Sequence, residues 1–273
     1  MKLVSLLIKK LHKKNIILSV VLISMFVILN GCSFKVNIGN LNEEDEKNII
    51  SNEQSEIEID KDEVLPLGTV VLLKNSNREL VITGRMQRIA SDSNEKIWDY
   101  SGCAYPRGFM SDDDSYVFNT DQIEKVYFKG YEDTDEVEYN RELIDYRNKV
   151  KGIKTTNNDN LKSNEKNIDT KCEVENIANN KNELLPLGSI ITVEGSNKKL
   201  MIMGRVASIK GKDSNIVYDY AGCIYPEGNI NIDTNYAFNR EDISKVYFKG
   251  YEDEKEIKYN KQLIKNRELL RGE

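Results

Sequence analysis

Three groups of residues that could carry chemistry recur in this chain at a fixed distance: cysteines, acids and arginines. Cys103 and Cys223 lie in matching Gly-Cys-x-Tyr-Pro runs. A cysteine nucleophile acts as its thiolate, which needs a neighbouring base. The acids Asp99, Asp113, Glu132, Asp133 and Glu136 return as Asp219, Asp233, Glu252, Asp253 and Glu256. They offer carboxylate pairs for glycoside chemistry, or oxygen ligands for a cation. Arg85 and Arg205 each follow a glycine and would receive an acidic partner. The residue that such sites most often recruit is missing from the body, because the one histidine is His12, in a basic and apolar N-terminal segment. Once that segment is removed, Ser-His-Asp and Cys-His nucleophiles, a histidine general base and a histidine-ligated zinc or iron site are all excluded. We therefore expect no catalytic residue, no metal site and no cofactor.

Each of these residues also has a reading that needs no reaction. A cysteine at a tight strand end packs as a small apolar residue, although a Cys103–Cys223 disulfide is permitted outside the cell. Asp112 to Asp114 become Ile232, Asp233 and Thr234 in the second run, which fits a solvated loop better than a calcium site. Glu132-Asp133 and Glu252-Asp253 stand where a helix would begin, and acids there cap free N–H groups and favour the helix dipole. Arg85 and Arg205 would form salt bridges to Asp99 and Asp219. The candidate binding surface is Tyr105, Tyr131, Tyr225 and Tyr251 with Arg85 and Arg205, since tyrosine buries area while keeping a polar tip.

The elements that must position these residues come as two copies of one unit, 120 residues apart. The four prolines are Pro66, Pro106, Pro186 and Pro226, two markers used twice. About 38 of the 83 positions from Leu65 to Arg147 are identical in the second copy, and Lys125 to Asp133 recurs unchanged as Lys245 to Asp253. A unit this long exceeds the solenoid range, so the copies are small domains rather than stacked repeats. In each, 69–74 is an apolar strand, and the turn residues at 75–78 join it to a strand at 79–85. A third strand runs over 97–105 and is ended by Pro106. Asn119 caps a short helix, with Gln122 or Asp242 three residues on. A fourth strand covers 126–131. Asp133 caps a final amphipathic helix with Val137, Leu143 and Ile144 inward, repeated as Ile257, Leu263 and Ile264. The fold class is α+β: two tandem small domains, each an antiparallel β-meander or partly open barrel with a short helix and a C-terminal helix.

The remaining segments give an address. Residues 1–31 read as a lipoprotein signal peptide, 32–63 as an acidic tether, 64–149 as repeat domain 1, 150–183 as an Asn/Lys-rich linker and 184–273 as repeat domain 2. Lysines precede a 14-residue apolar run, Ile16 to Leu29, about 21 Å as a helix and too short for the bilayer core of about 30 Å. An uncleaved anchor is the alternative. Leu29-Asn30-Gly31-Cys32 resembles the lipobox of bacterial lipoproteins. The resemblance implies that Cys32 is diacylated and becomes the new N-terminus, and two acyl chains suffice for stable anchoring. The chain would then stand on the outer face of the cell membrane. Removing five lysines with the leader takes the formal charge from -6 to -11. A body this acidic has no general attraction to nucleic acid, which is not expected as a partner.

Leu65-Pro66-Leu67-Gly68, Gly84-Arg85, Asp99-Tyr100-x-Gly102-Cys103-x-Tyr105-Pro106-x-Gly108, Phe118-Asn119 and Val126 to Asp133 together resemble the bacterial domain-of-unknown-function family 4176. The pattern returns from Leu185 to Asp253. The family is mostly seen in Gram-positive bacteria and is often encoded near type VII secretion systems. No activity is established for it, so the resemblance transfers no catalytic residue. The expectation is a membrane-anchored lipoprotein that binds an unknown protein partner, with its two repeat domains bivalent or packed on each other. A carboxylate-dependent cell-envelope hydrolase and a structural spacer are the alternatives.

Overall fold

A computed structural model of the chain describes residues 63–89, 91, 96–111, 114–153, 183–210 and 215–272. The leader, Cys32, the tether up to residue 62, linker residues 154–182 with Cys172, and Asp112 and Asp113 lie outside the described residues.

Each repeat is an open five-stranded antiparallel sheet followed by a helix. In repeat 1 the strands are β1 (Val70–Leu73), β2 (Glu79–Arg88), β3 (Ile97–Ala104), β4 (Tyr116–Phe118) and β5 (Ile123–Phe128), in the order β4-β3-β2-β1-β5. In repeat 2 they are β6 (Ile190–Val193), β7 (Leu200–Lys210), β8 (Asn215–Ile224), β9 (Tyr236–Phe238) and β10 (Ile243–Phe248), in the order β10-β6-β7-β8-β9. The α+β fold expected from sequence is therefore present twice, its first four strands a meander and its last strand returning to the free edge of the first. Its details differ in three ways. A fifth strand of three residues pairs with β3 and with β8. The expected short helix is a single 3-10 turn, Thr120–Gln122 or Arg240–Asp242. The last strand ends at Phe128 rather than 131.

The helices are α1 (Thr134–Lys151) and α2 (Glu254–Arg271). Asp133 and Asp253 cap them, each carboxylate accepting from the N–H three residues on, at 3.1 and 2.8 Å. Gly152 and Gly272 end them in the left-handed conformation, the usual way of satisfying the last free carbonyls. The expected inward stripe is corrected here. Val137 is only half-buried and Ile257 is 50% exposed. The buried positions on α1 are Glu136, Leu143 and Arg147, and on α2 Glu256, Asn260, Leu263 and Arg267. The helix spends its inner face on polar anchors because the strands beneath it supply their partners. Asn140 and Asn260 donate to the Val64 and Leu184 carbonyls at 2.5 and 2.6 Å.

One hydrophobic core runs through both repeats, from Val64, Leu67 and Val81 to Leu187, Met201 and Tyr220. Gly68 and Gly188 lie back to back, each with φ near +82°, and a Cβ on either would stand 3.1 Å from the other's Cα. Phe128 and Phe248 stack at 5.7 Å between ring centres. Contacts between equivalent residues mark a local two-fold axis, the geometry of a symmetric dimer written in one chain.

Candidate functional site

The candidate site is the face that the two repeats share. It begins with an irregularity in β2. Ile82 pairs with Gly102 and Gly84 with Ser101, so Thr83 is an extra residue that bulges out of the ladder. Met203 occupies the same place in β7, between Ile202 paired with Gly222 and Gly204 paired with Ala221. A bulge leaves one residue unpaired. Here its carbonyl turns to the other repeat: Asn229 N donates to Thr83 O, and Phe109 N to Met203 O, both at 2.8 Å. The donors lie in the turns after the Tyr-Pro pairs, whose peptide bonds are cis. Gly204 lets that turn come close, since a Cβ there would stand 2.6 Å from the Phe109 carbonyl oxygen.

Next along β2 and β7 are Arg85 and Arg205. Each is fully buried and makes a two-pronged ion pair with the helix of its own repeat, Arg85 with Glu136 and Arg205 with Glu256. The second nitrogens bond the second carboxylate oxygens at 3.0 and 2.9 Å. The same nitrogens also reach across, to Pro226 O at 2.6 Å from Arg85 and to Pro106 O at 2.7 Å from Arg205. The expected pairing of Arg85 with Asp99 and Arg205 with Asp219 is corrected, because the helix supplies the acid. Asp99 instead accepts from Thr120 N at 3.0 Å and pairs with Lys151. Asp219 accepts from Arg240 N at 2.9 Å and pairs with Arg267 and Arg271. Burial pushes the Glu136 and Glu256 carboxyls up, while their arginines pull them down.

The four tyrosines complete the face. Six rings form a continuous chain in the order Tyr105, Tyr251, Phe128, Phe248, Tyr131, Tyr225, with neighbouring centres 5.2–5.9 Å apart. Tilted and offset pairs at such spacing each add about 0.5–1.5 kcal/mol beyond the area they bury. The two ends are fixed by hydroxyls. Tyr105 donates to Asp253 at 3.0 Å and Tyr225 to the Tyr131 carbonyl at 3.0 Å. Thus all six residues of the candidate surface touch the opposite repeat. The helix-cap acids serve this contact too, since Lys199 bonds Asp133 and Asp135 at 2.6 and 2.8 Å. Lys255 meets Glu79 at 2.6 Å. Sequence reasoning missed Glu79, Lys199, Asp135 and Lys255. Their signal was an exchange of charge between otherwise similar copies.

Cys103 and Cys223 are buried free thiols, as the packing reading requires. Burial pushes both up to about 12. Neither is expected to react with iodoacetamide in the native protein near pH 8, where the thiolate is scarce, while both react after unfolding. Mass spectrometry of peptides alkylated before and after denaturation checks this. Burial also raises the Tyr105 and Tyr225 phenols, with Asp253 and Glu136 the next largest causes. An acid whose native value is raised stabilises the fold fully below its unfolded value, and that stability is lost as pH climbs through the native value. Thermal stability should therefore fall from about pH 9 upward, with tyrosinate absorbance from these two rings rising only on unfolding.

Among the described residues no group of acids, cysteines or histidines is arranged to hold a metal ion, and no helix is long and apolar enough to cross a membrane. A family model described as Domain of unknown function (DUF4176) matches residues 64–139 and again residues 184–259. No curated protein and no solved structure matches the chain.

Proposed function

From the premise that this chain belongs, in both of its repeats, to the family of Domain of unknown function DUF4176, we propose that it is a binding protein held on the outer face of the cell membrane, its paired repeats forming one rigid body beside a secretion system. The observation that carries this reading is the use made of the motif residues. Gly84-Arg85, Tyr105-Pro106, Tyr131 and Asp133, with their copies, are engaged by the opposite repeat. Motifs spent on assembly are those of a scaffold that presents its outer surface. The carboxylates a hydrolase would need are tied down: Glu136 and Glu256 to buried arginines, Asp99 and Asp219 to backbone N–H groups and cations.

The anchor is Cys32, acylated on sulfur after the leader is removed. Two acyl chains hold the body at the membrane, and the ten acidic residues between 43 and 63 make the segment that follows the anchor strongly negative. The partner reached this way is a protein, met by surface that the pairing of repeats presents twice. Met110 and Ile230 are one such doubled feature, apolar, equivalent by position, and 55% and 59% exposed.

The test is made in intact cells of the source bacterium. A labelled fatty acid should enter the wild-type chain and not Cys32→Ala, and the variant should leave the membrane fraction. Crosslinking of the anchored wild type should then capture one recurring protein, and the capture should be lost with Met110→Glu and Ile230→Glu together. A Cys32→Ala chain that stays membrane-bound overturns the anchor, and saturable cleavage of envelope glycan by the purified body overturns the binding role.

A further inference from the structure

The two repeats share about 38 of 83 positions, yet at two facing positions they carry opposite charges. Position 79 is glutamate in repeat 1, and its equivalent in repeat 2 is Lys199. Position 135 is aspartate in repeat 1, and its equivalent is Lys255. These four side chains meet across the local two-fold axis. Glu79 pairs with Lys255 at 2.6 Å on one side, and Lys199 pairs with Asp135 at 2.8 Å on the other. Lys199 also bonds the cap acid Asp133 at 2.6 Å, and its copy Asp253 is unchanged.

We propose that this exchange is a pairing code that makes repeat 1 specific for repeat 2 and rejects a second copy of itself. The inference rests on the paired body described above. In a pair of two first repeats, Glu79 would face Asp133 and Asp135, and the same acidic cluster would occur twice, once on each side of the axis. In a pair of two second repeats, Lys199 would face Lys255, with only Asp253 to offset it. In the mixed pair each exchanged position meets an opposite charge: Glu79 meets Lys255, and Lys199 meets Asp135 and Asp133. Like charges held together at an interface discriminate between partners more than they change the affinity for the right one. The glycine, arginine and aromatic contacts of the face do not discriminate. Gly68, Arg85, Tyr105, Phe128 and Tyr131 are identical to Gly188, Arg205, Tyr225, Phe248 and Tyr251.

The same geometry says how to break the code. In Glu79→Lys, the new lysine faces Lys255 in the mixed pair. Between two first repeats, however, it faces Asp133 and Asp135, as Lys199 does now. One substitution thus weakens the correct pair and makes repeat 1 self-complementary. Lys255→Asp should do the same for repeat 2, where Lys199 would meet Asp253 and the new acid on both sides. Combining Glu79→Lys with Lys255→Asp rejoins opposite signs in the mixed pair.

The experiment uses the full chain with a protease site placed between residues 154 and 182, cut after folding. The cut protein is unfolded in urea and refolded by dilution, and its pairs are counted by native mass spectrometry. Wild type should return almost only mixed pairs, whereas random association would make half of all pairs like–like. Glu79→Lys should raise the mixed-pair dissociation constant about tenfold at low salt and bring up pairs of two first repeats. The double variant should return the constant to within about threefold of wild type. Random pairing by wild type, or a Glu79→Lys protein that forms no pair of first repeats, overturns the code. If the halves of the cut wild type separate at once, the paired body itself fails instead.

Discussion

A chain carrying Arg85→Met is expected to lose about 3–5 kcal/mol of unfolding free energy at neutral pH, the range found when one partner of a buried ion pair is removed. Both side chains of the pair are fully buried, so the Glu136 carboxylate would be left in a site without water or counter-charge. The Pro226 carbonyl of the opposite repeat would lose a donor as well. The sign of the pH dependence follows. Burial already pushes the Glu136 carboxyl up, against the pull of Arg85. Without the arginine its native value rises further, and a carboxyl with a raised native value favours folding below its unfolded value and loses that as pH climbs. The variant's deficit should therefore shrink from about pH 7 to about pH 4. Arg85→Met with Glu136→Leu should recover most of the loss, since well-packed apolar pairs commonly replace buried ion pairs at little cost. Urea unfolding followed by circular dichroism at both pH values measures all of this. A double variant no more stable than the single one would show that the guanidinium acts through Pro226 rather than through Glu136.

The buried pair leaves no local pattern in the sequence. Strands β1 and β2 were legible because apolar runs flank the turn residues at 75–78, and such turn chemistry does not depend on the rest of the fold. The caps Asp133 and Asp253 were legible for the same reason. Strand β4 was not, because Tyr116–Phe118 is too short for a period and owes its existence to the edge that β3 presents. The inner face of each helix does not read as an apolar stripe, because Glu136 and Glu256 take the inner positions through arginines 51 residues away. Their one trace was that the Arg–Glu spacing is the same in both copies. The tyrosines and arginines were singled out as an interaction surface from residue type alone. Residue type does not say whether the partner is another protein or the other half of the chain. That answer needed the bulges at Thr83 and Met203, which no local pattern announces.

The steric counterpart of the Arg85 experiment is Gly130→Ala, where the obstruction is backbone. A Cβ on Gly130 would lie 1.9 Å from the Leu67 carbonyl oxygen, 2.9 Å from its carbon and 3.0 Å from Thr69 N. None of these atoms belongs to a side chain that could swing away. The segment is also pinned on every side: Thr69 Oγ1 donates to the Pro66 carbonyl and accepts from Gly130 N, and Gly68 N donates to Ile82 O. Gly68 in turn rests on Gly188 at the local axis, so a displaced Leu67 carbonyl is felt both at the start of β1 and at the contact between repeats. We expect Gly130→Ala to cost about 3–5 kcal/mol, at or beyond the upper end of overpacking effects. Gly250→Ala should match it, with its Cβ 2.0 Å from the Leu187 carbonyl oxygen. Gly152→Ala is the control. It has nothing within 4 Å of the new Cβ and only a positive φ of 65°, which costs about 1–2 kcal/mol for an ordinary residue. Thermal and urea unfolding of the three variants sets the order. If Gly130→Ala were no worse than Gly152→Ala, the strand start would be soft, and the Lys-Gly-Tyr-Glu-Asp run shared by both repeats would need a reason other than the passage of Leu67 and Leu187.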